Sequence, residues 1–288
     1  MKNMEILTDN EGMTYPFLKG KTDRMDYYGY TCIGGRPEDQ DCLSSALING
    51  RQIFAVCDGM GGHAGGCVAS VTAIRALNES FGRQAEIVPT TEAIVTAVND
   101  ANNAVYKKSM DEPRLRGMGT TLVLLVIDKQ AAYVTHIGDS RIYQLRNGRK
   151  IYRTFDHSMV FDQVAKGKLT EEEARVHSRA NILSKAIGIL PDVETKVKKL
   201  EYRKGDRFVL CCDGVWNTQV EANIIHMISS NADLETTIQT TRSTVEKIGK
   251  EKGGQHDNHT MIAVDMKTDS KYKRSLFRRF LSLFKRRK

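Results

Sequence analysis

The chain has 288 residues, of which 40% are hydrophobic and 27% are charged, an ordinary composition for a protein that builds its own core. No apolar stretch approaches the roughly 20 residues needed to cross a bilayer, and the first residues, MKNMEILTDN, lack the pattern of a secretory signal. The net charge is +8, but nine Lys or Arg and no acidic residue lie in residues 271–288. The rest of the chain has 34 basic and 35 acidic residues, which excludes a uniformly basic domain of the kind that binds nucleic acid.

In chain order, short runs rich in Val, Ile, Leu and Phe predict strands, and apolar residues at helical spacing predict helices. The predicted elements are a strand at Gln52–Cys57, helices at Cys67–Phe81 and Thr91–Met110, strands at Thr120–Ile127 and Ala131–Ile137, a hairpin at Arg141–Arg153 turning at Asn147-Gly148, a strand at Arg207–Cys212, helices at Val220–Ser229 and Leu234–Lys250, and a strand at Thr260–Asp265. Because strands adjoin strands and helices come in pairs, we expect antiparallel sheets covered by helices.

Three segments are predicted along the chain. Residues 1–26 hold no recognisable motif, residues 27–266 form one domain, and residues 267–288 form a basic tail. The six cysteines include no C-x-x-C pair, so we expect reduced, mostly buried thiols and a cytoplasmic protein.

Residues 54–66 read FAVCDGMGGHAGG, an apolar run that meets Asp58 and continues into glycines. A P-loop would need a lysine after these glycines, and none follows. A dinucleotide-binding loop is also excluded, because an acidic residue stands where the backbone must approach pyrophosphate. Residues 208–216, FVLCCDGVW, also stop an apolar run at Cys-Asp-Gly, so the aspartate is the shared feature.

Five aspartates lie beside the predicted strands or at a turn: Asp41, Asp58, Asp139, Asp213 and Asp257. Each alone is ordinarily a turn former or a helix cap. If the strands are neighbours, the carboxylates converge and need a cation to offset their repulsion. Oxygen ligands without a convergent Cys/His set select Mg²⁺ or Mn²⁺. Gly59 and Gly61 would let the backbone approach the ion.

Seven motifs occur in a fixed order between residues 29 and 265. They are R-x-x-x-Q-D (36–41), D-G-M-G-G-H (58–63), G-T-T (119–121), G-D-S-R (138–141), D-H-S (156–158), C-D-G-V-W (212–216) and D-N-H-T (257–260). Their order closely resembles the protein phosphatase 2C, or PPM, family, and residues 169–188 resemble its bacterial branch.

The resemblance implies an α+β fold, a four-layer α/β/β/α sandwich of two antiparallel sheets flanked by helices. It also implies a metal-dependent serine/threonine phosphatase with two Mn²⁺ or Mg²⁺ ions, phosphorylated protein substrates and an opposing serine/threonine kinase. Two metals suit so slow a reaction, because together they activate water and neutralise developing charge. The competing interpretation is a catalytically weak phosphatase fold that binds phosphoproteins or tethers a partner.

The resemblance also implies the metal ligands. Asp58 would bridge the two ions and Gly59 would add its carbonyl. Asp213 and Asp257 would complete one ion, and Asp41 would act beside the other, partly through water.

Arg36 matches the arginine that holds the substrate phosphate, for which a planar guanidinium is well suited. Asp139 matches a position that helps hold a third, weaker ion in bacterial relatives. The chain departs from many relatives at Met60, where some have a histidine, which leaves the general acid unassigned. It departs again at Gln40 and Asp39, which bear on the water network around the metals.

The histidines are expected to be structural, among them His136 and His157, and His63 is expected to cap a helix or support a ligand. Ser140 in G-D-S raises a serine-esterase alternative with Asp257 and His259 as partners. No nucleophile elbow surrounds this serine, because a predicted strand follows it.

The tail sequence KRSLFRRFLSLFKRRK (273–288) places its leucines and phenylalanines on one side of a helix and most basic residues on the other. So short a helix needs a surface to fold against. An anionic membrane surface at the inner face, or a partner helix, would provide one through residues 271–288. The sequence is also compatible with docking on the chain's own domain and with simple disorder. Nucleic acid fits less well, because the aromatic side chains lie away from most of the charge.

Overall fold

The computed structural model describes residues 4–8, 17–230 and 232–272, apart from the side chains of residues 62–64. Thirteen strands lie within these ranges: β1 (Met4–Leu7), β2 (Phe17–Lys21), β3 (Met25–Tyr30), β4 (Asp41–Ile48), β5 (Arg51–Met60), β6 (Gly119–Thr120), β7 (Leu122–Ile127), β8 (Ala132–Ile137), β9 (Arg141–Arg146), β10 (Arg149–Arg153), β11 (Lys198–Leu200), β12 (Arg207–Cys211) and β13 (Met261–Met266). The helices are α1 (Gly62–Arg83), α2 (Thr90–Asp111), α3 (Met159–Ala165), α4 (Glu171–Arg175), α5 (Asp213–Trp216), α6 (Glu221–Ile228) and α7 (Leu234–Glu251).

The strands form two sheets in which every strand pair is antiparallel. One sheet has the order β1-β4-β5-β7-β8-β11, with β6 paired to the end of β5, and the other has the order β10-β9-β12-β13-β3-β2. Helices α1 and α2 cover the first sheet, and α6 and α7 pack on the second. The predicted α+β sandwich of two antiparallel sheets flanked by helices is confirmed.

The central strand β5 is apolar from Ile53 to Cys57 because both of its faces are buried there. Phe54 and Val56 belong to the core that the two sheets share, whereas Ile53 and Ala55 belong to the core beneath α1 and α2. Strand β7 alternates in the same way. This central pair is the rigid support for the aspartate at the end of β5.

The predicted strand at Thr120–Ile127 is divided in the structure. Thr121 leaves the ladder because its N–H donates to Asp58 O at 2.8 Å and its hydroxyl accepts from Asp58 N at 3.0 Å. The predicted hairpin is confirmed, with φ of 50° at Asn147 and 70° at Gly148. Strands β1–β4 and β11 and helices α3–α5 were not predicted.

Segment 1–26 contributes strands to the edges of both sheets: β1 pairs with β4, and β2 pairs with β3. At the other end, Tyr272 N donates to Gln130 O at 2.7 Å, beside the turn between β7 and β8. The predicted helical tail at 273–288 lies outside the described residues. Over the part of the chain that is described, no helix is long and apolar enough to span a membrane.

A buried ion pair fixes the segment after β10 to the second sheet. Arg141 donates two hydrogen bonds to Asp156, at 2.8 and 2.7 Å, and both side chains are almost fully buried. The Arg141 guanidinium also lies 3.4 Å from the ring centre of Trp216. Trp216 Nε1 donates a hydrogen bond to Asp139 O at 3.0 Å. The contacts of Arg141, Asp156 and Trp216 therefore hold three of the sequence motifs together, namely G-D-S-R, D-H-S and C-D-G-V-W.

Replacing Asp156 with Asn should destabilise the protein by about 3 kcal/mol, because it leaves the Arg141 charge buried without a counterion. Urea unfolding followed by circular dichroism measures the change. Arg114→Gln breaks an exposed pair with Glu112 and should change the free energy of unfolding by less than about 0.5 kcal/mol. Equal effects of the two substitutions would contradict the importance of the buried pair.

Candidate active site

Two aspartates face each other at one end of the first sheet. Asp41 begins β4 and lies opposite Asp58 of β5 in the antiparallel register. Asp41 is 1% exposed, and neither of its carboxylate oxygens has a hydrogen-bond partner within the described structure. Burial raises the pKa of Asp41 well above its ordinary value, and the neighbouring charge of Asp39 adds to the rise, while Thr260 and Cys212 oppose it.

The other predicted acidic residues converge on this pair. Burial is the largest cause that raises the pKa of Asp58, and the carboxylates of Asp41, Asp213, Asp139 and Asp257 raise it further. Burial and the charge of Asp257 raise the pKa of Asp213 to about 6. The structure therefore brings all five strand-end aspartates to one place, where their negative charges oppose one another.

Two glycines allow the backbone to close around these carboxylates. A Cβ at Gly59 would lie 2.1 Å from Gly66 O and 2.6 Å from Gln40 O. A Cβ at Gly214, directly after Asp213, would lie 1.9 Å from Asn258 O. Such distances are impossible for a side chain, so both D-G pairs need glycine for close backbone approach.

The predicted phosphate-binding arginine lies at the rim. Arg36 Nη2 donates to Asp257 Oδ2 at 2.8 Å, and both side chains are about half exposed. Asp257 in turn raises the pKa of Asp213. The guanidinium thus touches the acidic cluster on one side and faces solvent on the other.

Asn258 positions the Arg36 loop, a role that the sequence did not suggest. Its amide donates to Ile33 O at 2.8 Å and to Glu38 O at 3.0 Å, and its side-chain oxygen accepts from Gln40 N at 2.9 Å. The D-N pair in D-N-H-T offers the only sequence signal for this contact. Without it, the loop that carries Arg36 would lose three hydrogen bonds.

Asp39 and Gln40, where the chain departs from many relatives, both contact the backbone of the site. Asp39 accepts from Thr31 Oγ1 at 2.7 Å and from Asp41 N at 3.0 Å. Gln40 O accepts from Gly59 N at 3.1 Å and from Ser70 Oγ at 2.7 Å. Both residues therefore brace the backbone around Asp41 and Gly59.

The donor set fits hard divalent cations. Convergent carboxylates, two of whose oxygens are buried without a hydrogen-bond partner among the described residues, offer oxygen ligands and excess negative charge. The Cys212 thiol also lies within 4.8 Å of carboxylate oxygens of Asp41 and Asp58. This thiol already accepts a hydrogen bond from Thr260 N at 3.1 Å, and burial raises its pKa well above the ordinary value.

The serine-esterase alternative is wrong. The Ser140 hydroxyl is buried and lies 2.8 Å from the Thr121 hydroxyl. His259 lies instead against Tyr30 and Glu246. The proposed nucleophile and base therefore have other partners.

Two of the remaining histidines pack against each other. The rings of His136 and His157 stack with centroids 4.3 Å apart, and burial lowers the pKa of His157 to about 4. Helix α1 has Gly61 as its N-cap, and the side chain of His63 lies outside the described part of the structure. The side chain of Met60 has no proton to donate, so the general acid is unassigned.

Comparisons with known proteins agree with this geometry. The family model described as Protein phosphatase 2C matches residues 28–257. A serine/threonine phosphatase stp from Listeria innocua is 32% identical over 219 residues, which cover 75% of this chain and 84% of that protein.

Two solved structures share the fold. The serine/threonine phosphatase PstP/Ppp of Mycobacterium tuberculosis superposes with a TM-score of 0.74 at 29% identity, covering 85% of this chain and 99% of that one. A structure of the PstP catalytic domain in complex with two manganese ions has a TM-score of 0.72 at 28% identity, covering 84% and 98%. The chain therefore belongs to the protein phosphatase 2C family and is a protein phosphatase, as its motifs predicted.

Proposed function

We propose that this phosphatase hydrolyses phosphoserine and phosphothreonine in proteins, with two Mn²⁺ or Mg²⁺ ions held by Asp41, Asp58, Gly59, Asp213 and Asp257. The observation that carries the proposal is the facing pair of Asp41 and Asp58 among convergent carboxylates, because Asp41 is buried and neither of its carboxylate oxygens has a hydrogen-bond partner within the described residues. The manganese-bound relative supports the choice of metal. Asp139, near Asp213 and Asp58, is the ligand proposed for a third, weaker ion.

The bound ions would supply an activated water and positive charge to offset charge that develops at phosphorus. The chain supplies the placement. Asp58 lies near the end of a strand buried on both faces. Its carbonyl accepts hydrogen bonds from the Thr120 hydroxyl and Thr121 N, and its N–H donates to the Thr121 hydroxyl, so its backbone is fixed. Asp213 begins α5, and only Cys212 separates it from the end of β12. Rigid strand ends keep the ligands in position before the substrate arrives.

Arg36 is the proposed phosphate-binding residue. Its guanidinium has several N–H donors, of which one contacts Asp257, so other donors can bind phosphate oxygens. Its half-exposed position at the rim suits a phosphorylated side chain on a protein surface. This arrangement needs no covalent phosphoenzyme.

Residues 27–266 are proposed as the catalytic domain, with residues 1–26 adding edge strands and residues 267–288 as a basic tail whose first residues, up to Tyr272, are hydrogen-bonded to the domain. We propose a cytoplasmic enzyme that opposes a serine/threonine kinase. The described cysteines are all free, which supports a reducing compartment. The nine basic residues of 271–288 support contact with an anionic membrane surface.

The purified protein should hydrolyse an aryl phosphate and a phosphothreonine peptide with Mn²⁺, and chelator should abolish turnover. Asp58→Asn and Asp213→Asn should each reduce kcat/KM by at least about 1,000-fold, because they weaken the charge stabilisation on which phosphoryl transfer depends. Asp111→Asn at the exposed end of α2 is the matched control and should retain full activity. A folded, manganese-binding protein without turnover would favour the phosphoprotein-binding alternative.

Arg36→Gln should reduce kcat/KM for the phosphothreonine peptide by roughly 10- to 100-fold, the value of one or two charge-assisted hydrogen bonds. Arg36→Lys should recover only part of the loss, because lysine cannot bind two oxygens in one plane. Steady-state kinetics at saturating Mn²⁺ measure both effects. Full activity of Arg36→Gln would remove this residue from substrate binding.

Asp41→Asn should stabilise the metal-free protein by about 1–3 kcal/mol at pH 8, because it removes a buried charge whose oxygens accept no hydrogen bond from the described residues. The pKa of Asp41 is raised on folding, so its unfavourable contribution grows as the pH rises above the ordinary aspartate value. Thermal unfolding in chelator at pH 5 and pH 8 should therefore show a larger gain at pH 8. Saturating Mn²⁺ should reverse the order and stabilise the wild type more than the variant, and the same gain at both pH values would contradict the argument.

A further inference from the structure

Four side chains with metal-binding atoms converge outside the aspartate cluster. Cys32 follows β3, Glu246 lies on α7, and His256 and His259 lie in the segment before β13. The ligand atoms of Cys32, Glu246 and His259 all lie within 4.8 Å of one another. Cys32 and His259 are 4% and 0% exposed. We call these four residues the thiol-histidine cluster.

One oxygen is at the centre of the cluster. Glu246 Oε1 lies 2.9 Å from His259 Nε2, 3.1 Å from His256 Nε2 and 3.3 Å from Cys32 Sγ. An oxygen atom has two lone pairs, so three donors are more than it can accept with good geometry. The ligand atoms of Cys32, Glu246 and His259 lie close enough together to share one zinc ion after a small outward shift, since zinc bonds are roughly 2.0–2.3 Å long. His256, which contacts the same Glu246 oxygen, is the candidate for the fourth ligand.

The second ring nitrogen of His259 has the partner that a metal-binding histidine needs. Tyr30 OH lies 2.9 Å from His259 Nδ1, and Tyr30 is fully buried. In the metal-bound form the ring proton would lie on Nδ1 and be donated to this hydroxyl, so Nε2 would give up its hydrogen bond to Glu246 and bind the ion through its lone pair. Histidine ligands of metals are commonly oriented by such a bond.

Helix α7 makes room for the second histidine. Gly249 is buried in the helix interior, where glycine costs about 1 kcal/mol relative to alanine. A Cβ at Gly249 would lie 2.2 Å from His256 Cγ. The glycine thus lets the His256 ring lie against the helix, within reach of Glu246 one turn earlier.

We propose that the thiol-histidine cluster binds one zinc ion through Cys32, Glu246, His256 and His259. A thiolate and a carboxylate balance the two charges of Zn²⁺, and the Cys/His set selects zinc over the Mg²⁺ or Mn²⁺ of the aspartate cluster. The ion would join α7 to the segment that contains Asp257 and Asn258. Because Gly35 N donates to His256 O at 2.9 Å, it would also support the Arg36 loop.

Cobalt titration tests this site separately from catalysis. The full chain is stripped of metal under reducing conditions, supplied with saturating Mg²⁺ to fill the oxygen site, and titrated with Co²⁺. One equivalent of Co²⁺ should produce a thiolate-to-cobalt charge-transfer band and the visible absorption of a tetrahedral ion, and one equivalent of Zn²⁺ should remove both. The untreated protein should contain about one zinc per chain by elemental analysis.

Cys32→Ser should abolish the charge-transfer band, and His256→Gln should weaken cobalt binding by at least about tenfold. Cys67→Ser and Cys212→Ser should retain the band, and Cys212→Ser separates this cluster from the thiol beside Asp41 and Asp58. Circular dichroism of every variant verifies folding, and His256→Gln, at a partly exposed position, keeps the test decisive if Cys32→Ser does not fold. No band in the wild type, or a band that depends on Cys212 and not on Cys32, would overturn the proposal.

Discussion

The repulsion among carboxylates at one end of the sandwich is the constraint around which this protein is organised. Asp41 and Asp58 face each other across neighbouring strands, and Asp213 and Asp257 approach from the second sheet. The fold holds them together because β5 and β7 are buried on both faces, so displacing Asp58 would expose apolar side chains on two sides. A cation bound at this end of the sandwich offsets the repulsion among the carboxylates, so its binding stabilises the folded protein.

The sequence reveals this arrangement only in part. Strands buried on both faces are visible as continuous apolar runs, and Asn147-Gly148 identifies its turn through the chemistry of positive φ. Four of the five aspartates were identifiable because each ends or precedes such a run, whereas Asp41 was identifiable by its position after a turn. Strands β1 to β4 escaped prediction, since β1 and β2 are short edge strands and β4 contains buried serines, of which Ser44 lies 3.4 Å from Asn78 Nδ2.

Contacts between residues far apart in the chain could not be predicted from the sequence, for a different reason. Nothing in the sequence indicates that Arg141 and Asp156 form a buried ion pair. Nothing in it indicates either that the Asn258 side chain makes three hydrogen bonds to the Arg36 loop. Periodicity reports which face of an element is buried and carries no information on partners. The thiol-histidine cluster was missed for the same reason, as its members come from three separate segments.

Asp257 connects Arg36, the proposed phosphate-binding residue, to the acidic cluster. Its carboxylate accepts a hydrogen bond from Arg36 and raises the pKa of Asp213, so it stands between the guanidinium and the other acids. A cation held in part by Asp257, as proposed, would weaken the attraction between Asp257 and Arg36. The arginine would then be freer to bind a phosphate dianion, whose own charge would favour the cation in return. Cation and phosphate would therefore stabilise each other's binding through one shared carboxylate, and the half-exposed position of both side chains would allow this exchange of partners without opening the core.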